Sequence, residues 1–170
     1  MSFLANLLGL GRDPRRDLAP LWHATVELGR DPQFYAECGV ADTIEGRFDM
    51  VTAALALVLL RMEREPELVE PSVRLTELFV DDMDGQLRES GVGDVVVGKH
   101  LGRLMSVMGG RLGAYRDNLG ADKELEEAVA RNVSLSDGGS PACVAIRLRE
   151  VAARLDRTRR ADLLEGNIAA

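Results

Sequence analysis

The side chains best suited to chemistry are the acids of one stretch, Leu78–Asp94, LFVDDMDGQLRESGVGD. Asp81, Asp82, Asp84 and Glu89 lie close together there. Paired carboxylates can act as general acid and base when their surroundings push their pKa values apart. The supporting groups do not follow: no nucleophile with a nearby histidine and no glycine-rich phosphate loop accompanies them. Read as a calcium loop with Gly85 at the sixth place, the stretch puts Val80 and Gly91 where ligands are needed. His23 and His100 stand alone, and no HxxxH or HExxH spacing occurs, so no metal or other cofactor is expected. Cys38 and Cys143 form no CxxC pair and are expected as separate reduced thiols.

The helix that must carry the acids is legible. Leu75, Leu78, Phe79, Met83 and Leu87 fall at steps of three and four, one apolar helical face. Gly91 suits a C-terminal stop, and Asp94 is placed to N-cap the next helix. On the wheel Asp81, Asp84 and Arg88 point away from the apolar face, and Asp84–Arg88 is an i, i+4 pair worth a few tenths of a kcal/mol. Asp82, Gln86 and Glu89 form a stripe within or at the edge of the apolar arc, where an unpaired carboxylate is costly. Either a base inside the fold meets them (Arg47, Lys99, Arg103 or Arg111), or they line an open face where a partner docks.

The flanking elements give an all-α fold. Strand signals are weak, and 46% hydrophobic with 29% charged residues is ordinary globular composition. One domain is expected, a bundle of about six to eight helices. It divides into an apolar and basic segment 1–17, a helical core 18–119 and a lighter C-terminal extension 120–170. Met50–Leu60 is nearly all apolar, so helix 47–63 should be the central, buried one. At roughly 16 Å its apolar run is too short for a bilayer core of about 30 Å. Helices are also expected over Leu18–Leu28, from Pro32 after the Asp31 cap, from Ser72, from Asp94 to Leu119, after the Asp122 cap, and from Pro141 after Ser140. Residues 42–46 read as a loop. In the Asp94 helix Gly98, Gly102, Gly109 and Gly113 make a second stripe, which points to close approach by an internal helix or by a partner's helix.

A net charge of −7 argues against nucleic-acid binding by the whole surface. Residues 2–10, SFLANLLGL, place Phe3, Leu4, Leu7 and Leu8 on one helical side. Followed by RDPRR, they read as a membrane-surface foot or as a segment packing on the core or a second subunit.

FYAECGVADTIEGRFDM, DDMDGQLRESGVGD, VGKHLGRLM and GRLGAYRDNL, in this order, resemble the ubiquinol–cytochrome c chaperone family. The resemblance covers about residues 20–119. It rests on Phe34, Tyr35, Gly46, Arg47, Phe48, Asp49, Asp82, Met83, Asp84, Leu87, Arg88, Glu89, Gly91, Gly93, Asp94, Gly98, Lys99, Arg111 and Tyr115. Gly85 and Gly109 depart from its pattern. The resemblance implies an all-helical protein, not an enzyme, that assists assembly of the cytochrome bc1 complex by binding newly made cytochrome b or an early intermediate. With no Arg-rich presequence at the start, a bacterial member is expected, cytoplasmic or peripheral at the inner membrane. Two other readings stay open: a general membrane- or ribosome-associated factor with a different client, and a small enzyme using Asp82 and Glu89. No small-molecule substrate is expected.

Overall fold

The protein is described by a computed structural model covering residues 13–89 and 94–169; the side chains of 14, 87–89 and 94–101 lie outside that description. Helices run α1 (Ala19–Gly29), α2 (Pro32–Ala36), α3 (Ile44–Met62), α4 (Val69–Glu89), α5 (Asp94–Asn118), α6 (Asp122–Asn132), α7 (Pro141–Arg157) and α8 (Arg160–Leu164). Two 3-10 turns, Pro14–Leu18 and Pro66–Leu68, precede α1 and α4. Among the described residues the sole β feature is one antiparallel bridge, Val40 to Leu135. The fold is all-α.

Helix α3 is the axis. Every residue from Met50 to Met62 is buried. Helices α1, α5 and α7 pack around it, and α6 fills the angle between α5 and α7. The polar groups of α3 are satisfied locally: Thr52 Oγ1 donates to Phe48 O at 2.8 Å. Arg61 is buried yet well placed, for Nε donates to Leu155 O at 3.0 Å and Nη2 to Thr158 O at 3.1 Å. A cation thus meets carbonyls at the negative end of α7. Glu65 balances its charge at 2.7 Å.

Local signals account for several boundaries. Asp31 caps α2, its Oδ1 accepting from Gln33 N at 3.0 Å, and Ser140 caps α7, its Oγ accepting from Cys143 N at 3.2 Å. Three starts differ from expectation. Helix α3 begins at Ile44 because Thr43 Oγ1 accepts from Gly46 N at 3.1 Å, so the expected 42–46 loop is partly helix. Helix α4 begins at Val69; Ser72 lies inside it and donates to Val69 O at 2.7 Å. Ala121, with no side-chain bond, holds the cap position of α6, and Asp122 is the first helical residue.

Two packing expectations are overturned. The C-terminal helices are not a light addition: Leu125, Ala128, Val144, Ala145, Leu148, Leu155 and Leu163 are among the most buried side chains. Small and branched aliphatics make that contact, so a lack of aromatics beyond residue 116 was a poor guide. At its described positions the glycine stripe of α5 meets no internal helix either, for a Cβ built at Gly102, Gly109 or Gly113 would meet nothing within 4 Å; Gly98 lies outside the described residues.

The reduced-thiol expectation also fails. Cys38 and Cys143, 105 positions apart in sequence, are joined in a disulfide with Cα atoms 5.2 Å apart. The bond sits in a clasp between two loops. Ser140 N donates to Cys38 O, Ser136 N to Gly39 O and Ala41 N to Ser134 O, each at 2.9 Å. This clasp brings the end of α2 to the start of α7.

Candidate functional site

The N-terminal half-turn of α3 carries the site. Gly46 lies so close to the preceding loop that a Cβ there would fall 2.0 Å from Ala41 O. Glycine lets the first turn of α3 lie against the preceding loop, and Ile44, Arg47 and Phe48 around it line a cleft. Gly29 does the same for the end of α1, where a Cβ would lie 2.7 Å from Val51 Cα. Tyr35 secures that end by donating from its hydroxyl to Gly29 O at 2.8 Å.

An apolar cleft of about 410 Å³ opens between the ends of α1 and α4, the start of α3 and the middle of α5. Val26, Ile44, Phe48, Val51, Met83 and Leu104 form its walls. Arg30, Glu45, Arg47, Asp82 and Gln86 form its rim. Ile44 stands on the lip with 88% of its surface exposed, an unusual place for a β-branched aliphatic. Phe48, Glu45 and Leu104 also border a second, more polar depression lined by Arg103, Arg111 and Arg131, so the two openings are contiguous.

The rim charges are local pairs. Arg47 Nε donates to Asp42 Oδ1 at 2.6 Å. That bond lowers the Asp42 pKa and raises that of Arg47. Asp82 is exposed and accepts from Gln86 Nε2 at 3.2 Å. Asp81 takes an ion pair from Arg15. The internal base expected for Asp82 is therefore not Arg47 or Arg111: Arg47 is held by Asp42, and Arg111 belongs to Asp49. Asp82 sits exposed at the edge of the cleft; of the other candidate bases, the side chain of Lys99 lies outside the described residues.

Behind the cleft lies a polar joint. The Asp49 carboxylate accepts from Arg111 Nη2, from Ser134 N at 2.9 Å and from Ser134 Oγ at 2.8 Å. Arg111 Nη1 donates to Asp49 O at 2.8 Å, and Nη2 also reaches Asn132 O. The Arg111 side chain is only 3% exposed. One buried ion pair thereby ties α3, α5 and the loop after α6. Tyr115, one turn on, is fully buried; its hydroxyl has no partner among the described residues, and burial pushes it up to about 12.

The motif residues thus separate by place. Arg47 and Asp82 are at the cleft; Asp49, Arg111, Tyr115 and Phe34 are inside the fold; Tyr35 braces the end of α1. Asp84 is partly buried on α4, and the side chains of Arg88, Glu89, Asp94 and Lys99 lie outside the described residues. Sequence reasoning missed Val26, Arg30 and Ile44 as cleft residues. An isoleucine directly after a helix-capping threonine was the available sign for Ile44, since the first turn of a helix has an exposed side.

These features define a helical binding module: an apolar cleft with a charged rim, on a scaffold stiffened by a buried ion pair and a disulfide. Comparison with known proteins gives the family. The ubiquinol-cytochrome C chaperone family matches residues 36–170, and the chain belongs to it. The match includes the C-terminal helices, where sequence reading had carried nothing over. The crystal structure of the Cbp3 homolog from Brucella abortus is similar, with a TM-score of 0.76 and 29% identity over 91% of this chain and 88% of that one. No curated protein gives a significant match. A chaperone has a protein partner. Among the described residues no helix is long and apolar enough to cross a membrane.

Proposed function

We propose that the protein is an assembly chaperone of the respiratory cytochrome bc1 complex, that its client is cytochrome b or an early intermediate containing it, and that it acts by binding and not by catalysis. The apolar cleft with Ile44 on its lip supports this reading most directly. A newly made membrane subunit exposes apolar helix faces before its partners arrive. An open apolar wall can cover part of such a face, since each square ångström taken from water contributes about 25 cal/mol. The rim charges hold the edges of the contact in register and allow release, as exposed charges add little affinity. Asp82 then serves recognition at the rim.

A deletion strain tests the proposal. Loss of assembled bc1 complex and of its cytochrome b spectrum under respiratory growth is expected, restored by the wild-type chain. Restoration by a Phe48→Asp, Met83→Asp variant would contradict the role of the cleft. Capture of other nascent membrane proteins without cytochrome b would make the protein a general factor instead.

A further inference from the structure

We propose that the arginine-lined depression beside the cleft is a carboxylate subsite: it takes an acidic peptide segment adjoining the apolar face that the client lays in the cleft. This rests on the reading of the cleft as the client site, and it adds the chemistry by which that client is oriented.

The depression, of about 490 Å³, lies where α3 and α5 meet the end of α6. Glu45, Phe48 and Leu104 border both openings, so a chain seated on the apolar walls can continue over it. Its cations are three arginines, Arg103, Arg111 and Arg131, against two carboxylates, Glu45 and Asp49. A guanidinium presents a planar fork that matches a carboxylate. Asp49 is already engaged by Arg111 and Ser134. The other two arginines are poorly matched within the fold. Arg103 is exposed, with no carboxylate partner among the described residues. Arg131 has Glu127 at 3.5 Å on its own helix, with both side chains well exposed, and such a pair contributes little. Arg111 forms a fixed, buried floor, held by Asp49 O and Asn132 O. Its Nε is buried without an acceptor among the described residues, so the floor keeps unanswered donor capacity. Positive charge is thus left open directly beside the apolar wall.

Charge complementarity selects the occupant. The chain carries a net charge of −7, so an anionic membrane surface repels it as a whole. A peptide already seated on Phe48 and Leu104 brings its acids to the arginines alone, where the local sign is opposite. The rest of the rim is mixed: Arg30, Arg47 held by Asp42, and Asp82. An apolar segment flanked by acids at one end therefore has a preferred direction, its acids over Arg103 and Arg131. Exposed charges govern register and encounter more than affinity, which suits a partner that must later be released.

Fluorescence anisotropy with the full chain tests this. The probe is a labelled leucine- and alanine-rich helical peptide ending in a run of glutamates, set against the same peptide ending in glutamines. The glutamate form should bind about fivefold more tightly at low salt, and the advantage should vanish at about 0.5 M salt. Arg103→Glu with Arg131→Glu should remove the preference while circular dichroism and the urea midpoint stay native, since both side chains are exposed. Phe48→Ser should weaken both peptides alike. Equal binding of the two peptides, a preference retained by the double variant, or undiminished affinity in Phe48→Ser would overturn the proposal. So would binding of phosphatidylglycerol vesicles through the same arginines without a glutamate preference, which would assign the depression to lipid headgroups. The client reading fails separately: a crosslinker in place of Phe48 would then capture no cytochrome b in cells, while the purified protein keeps its glutamate preference.

Discussion

Breaking the Cys38–Cys143 bond should cost a large part of the protein's stability while leaving its native structure in place. The disulfide closes a loop of 105 residues. In the chain-entropy account a cross-link over about 100 residues withholds roughly 4.7 kcal/mol of freedom from the unfolded chain. The three main-chain hydrogen bonds of the clasp stay available, so the reduced protein still joins α2 to α7. Urea unfolding with and without a phosphine reductant reads the difference. With a slope of about 2 kcal/mol per molar, the midpoint should fall by about 2 M. Cys143→Ser should match the reduced wild type and be insensitive to reductant, and its circular dichroism in buffer should be native. Coincident unfolding curves would refute the entropic reasoning. Two thiols free to alkylation in the air-oxidised native protein would refute the pairing itself.

Other consequences follow from the joint and the glycines. Asp49→Ala leaves Arg111 buried without its carboxylate and should cost about 3–5 kcal/mol in chemical denaturation, whereas Asp82→Ala on the open rim should cost well under 1. Tyr115 has its folded pKa raised to about 12, above the unfolded value near 10, so its contribution is intact below pH about 10 and lost as pH rises towards 12. Tyr115→Phe should therefore raise the alkaline unfolding midpoint, with neutral-pH stability unchanged or higher because a buried hydroxyl without a partner is removed. Gly46→Ala should destabilise by about 2 kcal/mol or more through its clash with Ala41 O, while Gly102→Ala, facing open space within helix α5, should stabilise by about 1 kcal/mol. Thermal unfolding of the two glycine variants side by side checks both signs.

The legible parts of the fold were those governed by local rules. The apolar run of α3, the Asp31-Pro32 and Ser140-Pro141 starts and the face of α4 follow from periodicity and capping, which act within a few residues. What stayed hidden depends on contacts across the chain. The bond between Cys38 and Cys143 requires the two loops to meet, and nothing near either cysteine says that they do. Asp49 and Arg111 were both picked out, but as separate motif residues; their pairing needs α3 and α5 to cross where they do. The wheel leaves Asp82 within or at the edge of the apolar arc, and only the tertiary fold decides that it stands exposed at the mouth of a cleft and not in a buried contact. The α5 glycines show the limit of spacing alone: it points to close approach by an internal helix or a partner's, and Gly102, Gly109 and Gly113 face open space within the fold.

In-cell photo-crosslinking from the lip of the cleft tests the central claim most directly. With the crosslinker in place of Ile44, the account predicts adducts to cytochrome b that grow during respiratory induction and vanish when cytochrome b synthesis is blocked. Adducts that persist without cytochrome b, or the absence of cytochrome b from them while the bc1 complex assembles normally, would contradict it.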